Sequence, residues 1–157
     1  MPDHSRAAVL QHLLQNGVTL QALMDIDPGE LDQLYLHACN AFGQQDYASA
    51  YKWLTLLTRL SHWQFDYWLA LGQTCMRLDR LEEAVHSFSQ AAPLRLDDPR
   101  PPALSGECLQ RRQQFDAAAE AYQAALSCCA DRSEHRALRQ HIEQALRACA
   151  SSKETST

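Results

Sequence analysis

The chain repeats itself every 34 residues, and that period constrains its fold more than any single motif does. Ala50, Ala84 and Ala118 stand 34 apart, as do Tyr47, Leu81 and Phe115, and again Leu54, Phe88 and Tyr122. Small residues follow the same spacing at Ala38, Gly72 and Gly106, with a looser ladder at Leu57, Ala91 and Ala125. Two antiparallel helices approach closely only where one side chain is tiny, so such small-residue ladders mark helix crossings, and a large apolar group one turn on fills the space beside them. One such hairpin cannot bury its faces alone, whereas a stack of three can. With only five Gly and six Pro, and Ala, Leu, Gln, Arg and Glu prominent, the composition favours helix over sheet. The expected class is all-α: three helical hairpins in a short superhelix.

These residues resemble the tetratricopeptide repeat. The middle repeat, 65–98, matches best, with Trp68, Leu71-Gly72, Ala84, Phe88 and Ala91 in order. The third, 99–132, keeps Gly106, Ala118, Tyr122 and Ala125, and the first, 31–64, keeps Ala38, Ala50 and a leucine at 54. The spacing predicts helices over 31–43 and 47–60, 65–78 and 81–94, and 101–112 and 115–128. The late proline of the repeat is absent at His62, Leu96 and Ala130, so unusual turns are expected between repeats. Residues 1–30 read as N-terminal helices, over 5–15 and 19–25, closed by an Asp27-Pro28-Gly29 stop. A capping helix is expected over 133–150 and a disordered tail over 151–157. Trp53, Trp63 and Trp68 read as core or inter-repeat packing.

Several functions are disfavoured. A net charge of −5 with no block of Lys or Arg gives no footprint for nucleic acid. The apolar runs are too short for direct membrane insertion, and Met1-Pro2-Asp3-His4 lacks the basic start of a leader, so a cytoplasmic protein is expected. The six cysteines sit within helical patterns and are read as reduced thiols packed as small apolar groups. No cofactor and no metal are expected: His37 and Cys39 point to different helix faces, and no Cys-x-x-Cys occurs. Glu82-Glu83 and Asp97-Asp98 read as solvated helix-start charges, and no set of convergent polar groups suggests an enzyme.

In tetratricopeptide proteins the first helix of each repeat lines the concave side, with an exposed stripe at its second, fifth, ninth and twelfth positions. Carried onto this chain the stripe is Asp32, Tyr35, Cys39 and Phe42, then Asp66, Leu69, Gln73 and Met76, then Arg100, Ala103, Glu107 and Gln110. The candidate peptide-binding residues are therefore Tyr35, Cys39, Phe42, Leu69, Gln73, Met76 and Glu107, an apolar floor that turns polar in the third repeat. The competing reading is that these apolar groups are covered by the N-terminal helices or by a second copy. Leu10, Leu13, Leu14, Leu20 and Leu23 are the candidate homodimer contacts.

One family is similar beyond the generic repeat: the class II chaperones of type III secretion translocators, the LcrH/SycD type. The resemblance rests on Leu31-Asp32-Gln33-Leu34-Tyr35, on Phe65-Asp66-Tyr67-Trp68-Leu69-Ala70-Leu71-Gly72, on Ala84-Val85-His86-Ser87-Phe88, and on Asp98-Pro99-Arg100-Pro101-Pro102 followed by Gly106-Glu107-Cys108-Leu109. It implies a bacterial cytoplasmic chaperone whose groove holds an extended segment near the N-terminus of a hydrophobic translocator and keeps that client soluble and secretion-competent. It also implies a homodimer when client-free. Tyr35 and Phe42 match aromatic groove positions, while Cys39 departs from the larger aromatic common there. The alternative is a generic tetratricopeptide adaptor using the same groove for another protein.

Overall fold

The computed structural model describes residues 19–129 and 132–154. Among them the order is α1 (Leu20–Leu23), α2 (Pro28–Gly43), α3 (Tyr47–Leu60), α4 (Phe65–Arg77), α5 (Leu81–Ala91), α6 (Arg100–Arg111), α7 (Phe115–Cys129) and α8 (Arg136–Glu154), with 3₁₀ turns at Ala92–Leu94 and Ser133–His135. The pairs α2/α3, α4/α5 and α6/α7 form the three hairpins, each helix from α2 onward packs on its successor, and α8 caps α7.

The small-against-large ladders set the hairpin crossings. A Cβ added to Gly72 would lie 2.4 Å from the Phe88 ring, and one added to Gly106 would lie 2.6 Å from the Tyr122 ring. Leu54, Phe88 and Tyr122 are each almost fully buried, at the same position of successive repeats. The buried Tyr122 hydroxyl donates to Gln110 Oε1 at 2.9 Å, which satisfies the only polar atom of that side chain.

The turn inside each hairpin is also periodic. Gln45, Asp79 and Gln113, 34 residues apart, all adopt positive φ, of 64°, 59° and 60°. Each sits just beyond the first helix of its repeat. The following amide reaches back five residues, Asp46 to Ala41, Arg80 to Cys75 and Gln114 to Leu109, each at 2.9 Å. This is the Schellman arrangement, made here without glycine.

Several boundaries differ from expectation. Asp27-Pro28-Gly29 opens α2 instead of stopping the preceding segment: Asp27 Oδ1 accepts from the Gly29 amide at 3.0 Å, and Pro28 occupies the first helical position, where no donor is missed. The second helix of repeat two ends at Ala91 and tightens to a 3₁₀ turn, because Pro93 has no amide to continue the α-helical ladder. Helix α8 runs to Glu154, into the segment expected to be a tail. The helix expected over 5–15, with Leu10, Leu13 and Leu14, lies outside the described residues.

The inter-repeat turns use side chains where the repeat would have proline. The His62 carbonyl accepts from Trp68 Nε1 at 2.9 Å, and the Leu96 carbonyl accepts from the Cys128 thiol at 3.4 Å. Trp68 is thus half-buried between repeats as expected, but Trp53 and Trp63 are not core: they are 39% and 54% exposed. All six cysteines are free thiols; Cys75, Cys108, Cys129 and Cys149 are buried and Cys39 is exposed.

Candidate functional site

The first helices of the three repeats, α2, α4 and α6, carry a trough made of two adjoining cavities. The first, about 160 Å³, is lined by Tyr35, Ala38, Cys39 and Phe42 from α2, Leu54 from α3, and Ala70, Gln73 and Thr74 from α4. The second, about 330 Å³, is lined by Phe42, Gln73, Met76, Arg77, Leu104 and Glu107. Phe42 and Gln73 belong to both, so they form the wall between them.

The aromatic walls are braced from behind. The Tyr35 ring lies 5.1 Å from that of Tyr67, and Phe42 meets Tyr47 edge-on at 5.2 Å. Burial, and after it the neighbouring Cys39 thiol, pushes the Tyr35 phenol up to about 12, so it is a neutral hydroxyl at any ordinary pH. The Thr74 hydroxyl is taken up by the Ala70 carbonyl at 2.8 Å and makes no demand on a ligand. The first cavity is accordingly apolar in character.

Near Tyr35 the charges are already matched. Asp66 receives Arg95 at 3.0 Å, and Arg95 lies 4.1 Å above the Phe65 ring centroid. Asp98 accepts from the Arg100 amide and from its guanidinium, at 3.0 and 2.7 Å. Burial opposes ionisation of Asp98, but the Arg100 hydrogen bonds outweigh it and hold the carboxyl below its ordinary range.

Of the sequence candidates, Tyr35, Cys39, Phe42, Gln73, Met76 and Glu107 all line the trough. Leu69 does not: it is 5% exposed and belongs to the main core. The reason is positional. Helix α4 is flanked by helices on both sides, so its fifth position is covered, as is Ala103 on α6, whereas Tyr35 at the start of the stack stays half-open. Arg77 and Leu104 were missed, although each lies one turn from a stripe residue, Gln73 and Glu107. The floor residues Ala38 and Leu54 were read only as packing, and Ala70 only as part of the family resemblance. Leu20 is half-buried against the main core, and α1 rests on α3, the helix that exposes Trp53 and Leu56.

Among the described residues no group of three His, Cys, Asp or Glu side chains could hold a metal. No described helix is long and apolar enough to cross a membrane.

No family model matches the chain. It is similar to the low calcium response locus protein H of Yersinia pestis, 28% identical over 145 residues, which span 92% of this chain and 86% of that one. Its fold matches a chain of a type III secretion complex from Aeromonas hydrophila with a TM-score of 0.87 and 26% identity, over 94% of this chain and 98% of the other. It also matches the translocator chaperone SycD of Yersinia enterocolitica in complex with a peptide of the translocator YopD, with a TM-score of 0.77 and 27% identity over 82% and 98% of the two chains. The same SycD has been solved as an alternative dimer. Fold and trough together define a tetratricopeptide-type protein with a trough on the first helices of its repeats. Sequence and structure bear out its resemblance to the class II chaperones of type III secretion, the LcrH/SycD type.

Proposed function

We propose that this chain is a bacterial cytoplasmic chaperone that holds an extended N-terminal segment of a hydrophobic type III secretion translocator in its concave trough and keeps it soluble until export. The observation that carries this reading is the continuous trough across α2, α4 and α6, apolar at one end and polar at the other, in a chain whose fold matches a chaperone solved with a translocator peptide. The proposed contacts are Tyr35, Cys39, Phe42, Gln73, Met76 and Glu107; Leu69 supports the floor from within the core.

The action is binding, not catalysis. Two or three buried apolar anchors contribute roughly 1.5–3 kcal/mol each, and part of that is lost to ordering the client. Micromolar to nanomolar affinity follows. When client-free the chain forms a homodimer, for which Leu10, Leu13, Leu14, Leu20 and Leu23 are the proposed contacts. The test is co-expression with the translocator encoded beside this chain. The reading requires a translocator that is insoluble alone to become soluble and to co-purify; co-purification with an unrelated protein instead would favour the general adaptor.

A further inference from the structure

The second cavity brings two opposite charges to one space without pairing them. Other opposite charges that meet do pair: Asp66 with Arg95, Asp98 with Arg100, Asp79 with Arg111 and Asp97 with Arg132, at 2.7 to 3.1 Å. In the cavity, Arg77 and Glu107 face the same space of about 330 Å³, yet among the described residues neither makes an ion pair or side-chain hydrogen bond, and neither does the Gln73 amide beside them. Phe42, Met76 and Leu104 supply the remaining walls, which lowers the local polarity and strengthens any hydrogen bond made there.

From this we infer that Gln73, Arg77 and Glu107 form a clamp for the client's main chain, while the apolar cavity under Tyr35, Cys39 and Phe42 reads a client side chain. The inference rests on the trough being the client site.

Charge decides what the clamp selects. One guanidinium, one carboxylate and one amide sum to zero. A cationic client side chain gains from Glu107 and loses to Arg77, and an anionic one does the reverse. A neutral group with both a donor and an acceptor satisfies all three, and the peptide unit is that group. Spacing agrees. Along an extended strand, residues facing one side recur every second position, about 6.6 Å apart, and each turns its N–H and C=O to the same side. Gln73 and Arg77 are four residues apart on α4, a rise of about 6 Å. Their separation is thus close to one strand repeat, with Glu107 facing them across the cavity from α6. Held this way, the client contributes affinity through any sequence at the polar end and register through one side chain at the apolar end.

The test uses the full chain and the translocator segment that it protects from limited proteolysis in the co-purified complex, synthesised as the native peptide and as a series with each backbone amide N-methylated in turn. Titrations are run against wild type, Glu107→Ala, Arg77→Ala and Gln73→Ala, all at exposed or half-exposed positions, with circular dichroism to verify folding. One or two N-methyl groups should weaken binding to wild type by about tenfold or more, the effect of losing one hydrogen bond to a charged group. The same methyl groups should cost no more than about twofold on Glu107→Ala, since the partner they block is gone. Equal N-methyl costs on wild type and all three variants would overturn the clamp. So would a more than tenfold change on placing Lys or Glu in the client segment at that end, which would make the site a side-chain reader. Failure of the native segment to bind wild type would instead remove the proposed function itself, a result distinct from either.

Discussion

Replacing Gly72 by alanine tests the packing that shapes the trough. Gly72 is helical, so alanine gains about 1 kcal/mol of intrinsic helix stability there. Against this, the new Cβ would sit 2.4 Å from Phe88 Cε1 and 2.7 Å from Cδ1 and Cζ, where carbon contacts relax to about 3.5–4.0 Å. The Phe88 ring is 1% exposed, so it is held in the core. Overpacking of this kind costs about 1–3 kcal/mol, and an overlap beyond an ångström belongs at the upper end, so the net loss is about 1–2 kcal/mol. For a chain of this size that lowers Tm by about 2–8 °C. Urea denaturation followed by helical circular dichroism measures it. Gly43→Ala is the internal control: nothing lies within 4 Å of its added Cβ, so the propensity gain stands unopposed. Trimming the ring in a Gly72→Ala, Phe88→Leu double variant should cost less than the sum of the single changes. If Gly72→Ala were as stable as Gly43→Ala, α4 and α5 would not cross at Gly72, and the account of the hairpins would be wrong.

Other outcomes follow from the same geometry. Gln113→Gly should stabilise the protein by up to about 1 kcal/mol in the same denaturation assay, because its φ of 60° suits glycine better than a residue with a Cβ. Asp98→Asn should be less stable than wild type at neutral pH. Since the native carboxyl titrates below its unfolded value of about 3.9, the wild-type advantage is full above that pH and is lost as the pH falls through the native value. Under native conditions an alkylating reagent should modify Cys39 well before Cys75 or Cys108, whose thiols burial pushes up to about 12 and about 11. Saturating client should then slow labelling at Cys39, as read by mass spectrometry, because that thiol lines the apolar cavity.

The hairpins were legible because their physical cause is itself periodic. A small residue must recur wherever two helices touch, and Ala38, Gly72 and Gly106 record it with Leu54, Phe88 and Tyr122 opposite. The positive-φ turns at Gln45, Asp79 and Gln113 were located as turns but not as Schellman caps, since no glycine marks them. Asp27-Pro28-Gly29 reads equally as a stop or a start. Only the direction in which Asp27 caps decides it, by extending α2 three residues earlier. Six of the seven proposed groove positions lie together because the stripe follows helical periodicity along α2, α4 and α6. Leu69 failed because exposure of a helix position depends on what flanks that helix, which a repeat pattern does not carry: Tyr35, Leu69 and Ala103 are equivalent in the repeat, yet only Tyr35 stays half-open. Trp53 and Trp63 failed for the opposite reason. Their size suggests core, but α3 turns Trp53 away from Leu54 and Leu57, and Trp63 sits in an inter-repeat turn beside His62.

The most direct measurement of the central claim is a calorimetric titration of the co-purified translocator's protected segment into wild type and into two variants, Ala70→Trp and Tyr35→Ala, Phe42→Ala, Met76→Ala. The first fills the apolar cavity and the second strips its walls and the adjoining methionine. The account predicts saturable binding at one segment per chain for wild type, and a loss of about a hundredfold or more for both folded variants, as two anchors at roughly 1.5 kcal/mol each would give. Binding by both variants with wild-type affinity would place the client elsewhere and return Tyr35, Phe42 and Met76 to structural packing.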